Sequence, residues 1–399
     1  MQNKKSLSLD KAKGFLLKNT MVIALVLVYI FFTIESGGKM ILPQNINNLI
    51  MQNSYVVILA VGMLLCILTG GNIDLSVGSV VCLVGAVCGV LMAQLHLNMY
   101  LVMGICLLIG LLIGAWQGFW IAYVRIPPFI VTLAGMLLFR GLAQAMLGGL
   151  TISGFPEEYL ALFNDYLFIP GLDSGADGVR YSAIAFGAIA CAVFIIASII
   201  GNINKKKKGY KTENAFSMYA RVGVISVAVM AVVYQLAHYK GIPYILLWLG
   251  VIITIYAYIT SKTTFGRHFY ALGGNEKATK LSGINTNNIY FAAYTNMGLL
   301  SAIAAMVVVA RFTSANPQSG TSYEMDAIGA CFIGGASAYG GVGKVSGAVI
   351  GAILMGVLNL GMNIIGIDSN YQKVVKGLVL LIAVIFDVVS NRKAAKVSA

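Results

Sequence analysis

Two short stretches of this chain hold side chains whose types and spacing could do chemistry. The first reads Gly70-Gly71-Asn72-Ile73-Asp74-Leu75-Ser76-Val77-Gly78-Ser79 and lies between two apolar runs. A carboxylic acid amid apolar residues is costly, so Asp74 must be paired, wetted or held at an interface. Asp74 with Ser76 fits the N-cap of a helix beginning near Val77, where carboxylate and hydroxyl satisfy free backbone N–H groups. The same groups could equally touch a passing solute. Either way the segment breaks a helix, and hydrocarbon tolerates such a break only where it faces protein or water.

The second stretch, Thr264 to Ile284, reads TFGRHFYALGGNEKATKLSGI. A purely solvated loop has no need of Phe265, Phe269, Tyr270, Ala271, Leu272, Leu281 and Ile284 among its charges. The spacing predicts a short amphipathic helix over Glu276–Leu281, capped by Asn275 and closed by Gly283. Such a helix suits docking into a groove of a partner protein, or lying on a lipid surface.

Other chemistries lack their residues. There is no GxxxxGK[ST], so the chain does not cradle ATP phosphates itself. His96, His238 and His268 lie far apart near segment ends, with no triad or metal spacing. Cys66, Cys82, Cys88, Cys106, Cys191 and Cys331 each sit inside an apolar run, which reads as core packing. No catalytic residue and no metal site is expected.

The elements that must position these stretches follow from composition. Of 399 residues, 59% are apolar and 10% charged, and mean hydropathy is +0.85. A soluble domain carries about 25% charged residues. This chain needs lipid as part of its solvent. Apolar runs at 21–34, 55–69, 77–95, 100–124, 129–147, 181–200, 222–239, 243–260, 289–310, 345–366 and 371–389 read as spans, with 327–343 a further span or a re-entrant segment. Runs such as 21–34 fall short of about 20 residues, so protein must shield their ends. The predicted fold is an all-α polytopic bundle of ten to twelve spans, treated as one transmembrane domain over 1–399.

The net charge of +13 is clustered. Lys and Arg concentrate before Met21, in 201–221 (including Lys205 to Lys208), in 261–288 and after Asn391. Anionic lipid holds such stretches on the cytoplasmic side. This predicts a cytoplasmic tail at 1–20, cytoplasmic loops at 201–221 and 261–288, both termini inside, and an even span count. The start lacks a cleavage site after its first apolar run, so it reads as an uncleaved tail and first span. The stretch 148–180, with Glu157, Glu158, Asp165, Asp173 and Asp177 against Arg180, reads as an outside loop. Nucleic-acid binding is excluded because the cations sit between apolar runs. Gly85, Gly89, Gly104, Gly110 and Gly114 would let helices approach closely. Residues 70–91 and 334–358 echo each other, each with a Gly-Gly pair and a polar break before a small-residue helix, as in transporters built from repeats with broken helices.

Together with Pro127-Pro128-Phe129-Ile130-Val131-Thr132-Leu133-Ala134-Gly135-Met136, Arg140-Gly141, and the run from Asp326 through Gly334-Gly335 to Gly343, these motifs resemble the permeases of ribose, galactose and xylose ABC importers. The resemblance spans about residues 45–390. The added pair of spans around Lys205–Lys208 makes it most similar to xylose-type and multiple-monosaccharide permeases of bacterial plasma membranes. It implies a permease homodimer around one path, a separate ATPase subunit that carries ATP and Mg, and an extracytoplasmic sugar-binding protein. By the resemblance, Gly266, Arg267, Gly273, Asn275, Ala278 and Gly283 form the coupling loop that meets the ATPase. Asn72, Asp74 and Ser76, with Glu324 and Asp326, would border the path or its gates. The competing expectations are a permease for nucleosides or branched-chain amino acids, a lone ion-coupled transporter, and an intramembrane enzyme. Few charges lie within the spans, which leaves an ion relay little to work with.

Overall fold

The computed structural model describes residues 20–173, 178–209 and 215–398. Residues 1–19 of the expected tail, Asp177 in the outside loop and residues 210–214 of the basic loop lie outside the described residues. Fifteen helices follow one another: α1 (Thr20–Glu35), α2 (Pro43–Leu68), α3 (Val77–Cys88, continued as a π-turn to Gln94), α4 (Met99–Ala122), α5 (Pro128–Leu147), α6 (Glu157–Asn164), α7 (Tyr181–Lys207), α8 (Ala215–Ala237), α9 (Tyr244–Lys262), α10 (Thr264–Gly274), α11 (Glu276–Leu281), α12 (Thr286–Phe312), α13 (Tyr323–Ile333), α14 (Val345–Ile364) and α15 (Ser369–Ser398). The described β-structure is a two-residue ribbon, β1 (Ile152–Ser153) antiparallel to β2 (Ser314–Ala315).

Local chemistry sets many of these starts. Asn98 accepts from the Tyr100 N–H at 2.9 Å, and Asn285 from those of Asn287 and Asn288, each capping a long apolar helix. Proline occupies the first turn of α2 and of α5, where its missing N–H costs nothing.

Nine helices among the described residues are long and apolar enough to cross a membrane. The shorter helix α1 is apolar as well. A series of turns over 317–322 leads from β2 into the eleven-residue α13. The start of α1 and the Asp387 turn of α15 lie at the same end of the bundle: Met21 lies against Gly335, and Asp387 accepts from the Ala338 N–H at 3.0 Å. That end also carries α10 and α11, whereas α6 and the ribbon cap the opposite end.

The structure corrects three expectations. The span expected at 55–69 begins at Pro43, because protein shields its polar first turns; Asn53 Nδ2 donates to Ala352 O at 2.7 Å. The segment 261–288 is two helices rather than one helix in a loop. Gly104 meets nothing and Gly89 meets the ribbon residues Ala315 and Ile152, although Gly85, Gly110 and Gly114 do touch neighbouring helices as expected. All six cysteines are buried. The two echoing stretches lie in contact, with Gly71 against Ala338 and Gly340 against Gly70.

Burial divides the helices into two groups. In α2 and α3, 83% of the apolar window is buried inside the protein, and in α12 72%. In α7 it is 17% and in α8 22%. The core is therefore α2, α3, α12, α13 and α14, and the α7–α8 hairpin lies outside it.

Candidate functional site

Two irregular segments meet inside this core. After α2 the chain runs irregularly through 69–76 before α3 begins. After α12 it runs through the ribbon and a turn to α13. Gly78 and Gly320 touch backbone to backbone, and a Cβ on either would strike the other's carbonyl oxygen. Gly320 has φ +76°, a left-handed conformation that suits glycine. The Glu324 carboxylate also lies against Gly78. From α5, Arg140 Nη1 donates to Ser319 O at 2.6 Å and Pro317 O at 3.3 Å, so a cation holds the carbonyls just before the break.

Asp74 is buried and its Oδ1 accepts from the Ser76 N–H at 2.8 Å and the Ser76 hydroxyl at 2.7 Å. Ser76 occupies the N-cap position of α3 without a side-chain cap bond, since its hydroxyl donates to Asp74 instead. The expected carboxylate–hydroxyl pairing exists, but it ties a turn ahead of the helix. Gln117 of α4 donates to Ser76 Oγ at 2.6 Å. Asn72 closes the preceding turn through Thr69, with its amide 3.1 Å from Thr69 Oγ1.

Asp326, 1% exposed, lies two residues beyond Glu324 and binds a different set of partners. Lys376 Nζ of α15 stands 2.9 Å from its Oδ1, and Tyr55 of α2 donates to its Oδ2 at 2.8 Å. The Tyr55 and Tyr323 rings stack with centroids 3.8 Å apart.

At one end of the bundle, α10 and α11 form a firmly seated pair. Thr263 Oγ1 accepts from Gly266 N at 3.0 Å to start α10, and Asn275 Oδ1 accepts from Ala278 N at 3.0 Å to start α11. Gly283, at φ +81°, ends α11 as expected. Gly266 packs on the Ile259 carbonyl, and Gly273 sits against Leu68 O and Gly341 N. Phe269 and Leu272 are buried in the bundle. Tyr270 donates to Gly343 O at 2.9 Å, and burial raises its phenol above the usual range, which keeps it a neutral donor. Arg125 fastens α11 from the α4–α5 turn: its Nη1 is 2.9 Å from Glu276 Oε1, and Tyr290 donates to Glu276 Oε2 at 3.1 Å. The residues that face outward are Arg267, Asn275, Ala278 and Gly283, with Leu281 89% exposed.

The structure thus gathers Asp74 and Ser76 beside one break and Glu324 beside the other, places Asp326 on the far side of α13, and divides the α10–α11 residues between an inward and an outward face. Sequence reasoning missed Gln117, Lys376, Tyr55 and Arg125. Gln117 did carry a signal as a lone polar group inside an apolar run, and such groups are paired, whereas Lys376 stands with Gln372 and Lys373 at the start of its run. Tyr55 and Arg125 carried none beyond their type.

Residues 45–174 and 169–384 match the family described as the branched-chain amino acid transport system / permease component. The chain belongs to this family of transport permeases, and it is a multi-pass membrane protein. It is 35% identical to the xylose transport system permease protein of Haemophilus influenzae, over 94% of this chain and 96% of that one. It is 34% identical to the Escherichia coli protein of the same description, over 94% and 92% of the two chains. It is also 34% identical to the ribose import permease protein of Escherichia coli, over 94% and 95%. No solved structure matches it.

Proposed function

We propose that this chain is the permease subunit of an ATP-driven importer of monosaccharides, of the xylose or multiple-sugar kind, in a bacterial inner membrane. The chain forms the translocation path and leaves ATP hydrolysis to a partner subunit. A sugar-binding protein delivers cargo at the α6 end, and two permeases form the path together. The end bearing α10, α11 and Lys205 to Lys208 faces the cytoplasm, which agrees with the positive-inside tendency.

The observation that carries this reading is the α10–α11 pair. Its inner face is locked to the bundle by Gly273, Phe269 and Leu272, while Leu281 stands 89% exposed at the basic end. A rigid knob with an apolar tip transmits force from a separate protein. Outward-facing Arg267, Asn275, Ala278 and Gly283 form the contact, and Gly266 and Gly273 seat it. Asn72, Asp74, Ser76 and Glu324 border the break that opens, and Asp326 borders it from behind.

The test is reconstitution in vesicles with the ATPase and binding protein. Xylose or ribose uptake should need ATP and both partners. Ion-driven uptake by the chain alone would overturn the reading. The family's description favours one second reading, branched-chain amino acid cargo. The same vesicles, offered leucine with a leucine-binding protein, would distinguish it.

A further inference from the structure

Lys376 is the part of this core that neither the sequence pattern nor the path reading employs. It is a lysine in the apolar helix α15 and pairs with an aspartate 1% exposed. Burying two charges is expensive, and an apolar pair of similar volume commonly serves stability as well or better. The pair therefore calls for a role that an apolar contact could not fill, and its position suggests one.

The pair sits on α13, the shortest helix of the core. Its N-terminal side is a series of turns over 317–322 that includes the Gly320–Gly78 contact. Its C-terminal side is the glycine-rich loop 334–343. That loop is held by α10 and α15 together: Tyr270 donates to Gly343 O at 2.9 Å, Gly273 packs on Gly341, and the Ala338 N–H donates to Asp387 of α15 at 3.0 Å. A continuous run of contacts thus leads from α10 through the loop and α13 to the break. Against α14 the register of α13 rests on small-residue packing, with Gly334 on Gly347 and Ala330 on Gly351, and small-residue surfaces permit sliding. A directional ion pair does not.

We propose that Lys376 is a positioning residue: acting through Asp326, it latches α13 in one register, and displacement of α10 releases the latch and parts Gly78 from Gly320. This rests on the importer reading above. Tyr55 holds the second carboxylate oxygen, so the latch joins α2, α13 and α15 at one point.

The test uses the assembled importer in vesicles and reads sugar moved per ATP hydrolysed. Lys376→Met alone strands a buried carboxylate and is expected to assemble poorly, so the informative variant is Asp326→Leu/Lys376→Met, which removes both charges. It should assemble with the ATPase and hydrolyse ATP, yet move at least about tenfold less sugar per ATP. Lys376→Arg should retain most of the ratio, and the exchanged pair Asp326→Lys/Lys376→Asp should recover part of it. A double apolar variant with an unchanged ratio would overturn the latch while leaving the importer reading intact. If the unsubstituted chain needs no ATPase for uptake, the importer reading fails instead.

Discussion

Helices α3 and α7 are both apolar enough to span a membrane, and α7 is the more apolar of the two. Yet α3 is 83% buried over its apolar window and α7 only 17%. What separates them is the distribution of small and polar residues. In α3, Gly78, Gly85 and Gly89 each meet another segment, and Ser76 and Asp74 at its start are buried and bonded. In the α7–α8 hairpin only Gly187 is crowded, against Val233, while Gly201 and Gly223 meet nothing. Lipid offers apolar surface as readily as protein does, so apolarity cannot sort helices within a bilayer; close backbone approach and paired polar groups can.

Substitutions can sharpen or break that contrast. The largest effect is expected at Gly320→Val, which adds left-handed strain to a clash with Gly78 and should cost about 4 kcal/mol. Size-exclusion chromatography in detergent should show loss of the monodisperse peak. Next is Asp74→Leu, which strands the Ser76 N–H and weakens the hydroxyl network with Gln117, at about 3 kcal/mol. A lowered thermal midpoint and reduced uptake would report it, and wild-type stability would mean the turn is held elsewhere.

Leu281→Asp should leave the midpoint unchanged and weaken ATPase capture on affinity resin by tenfold or more, about 1.4 kcal/mol. Retained capture would remove α11 as the contact. Arg125→Ala should be milder for stability, at most about 1 kcal/mol, because the Arg125 and Glu276 side chains are 43% and 41% exposed. Gly223→Ala in α8 should be neutral or slightly stabilising, within about 1 kcal/mol, since nothing lies within 4 Å and alanine is the better helix former. A large loss there would show that the hairpin contacts something besides lipid.

The same contrast explains what could be read from the chain before folding. Apolar runs, clustered cations and the capped Glu276–Leu281 helix follow from local rules, because spanning length, the preference of cations for one side and a cap bond each depend on neighbours in sequence. The early start of α2 was hidden, because Asn47 and Asn53 look like loop residues until Tyr166 and the Ala352 carbonyl bond them. The inward turn of Phe269 and Leu272 was hidden for a similar reason, since apolar residues in a basic segment look alike whether they face a partner, lipid or their own bundle.

Membrane residence, helical class and the break at 69–76 belonged to the sequence alone; the break before α13 did not, because the echo puts its second polar stretch at 334–343. Which breaks touch was decided only in three dimensions: Gly78 and Gly320 stand far apart along the chain, and nothing local marks either as the other's neighbour. The same holds for Asp326 with Lys376 and Tyr55. A buried charge announces in the sequence that it needs a partner, but the partner is chosen by how the helices pack, because that packing sets the distances over which charge and backbone interact.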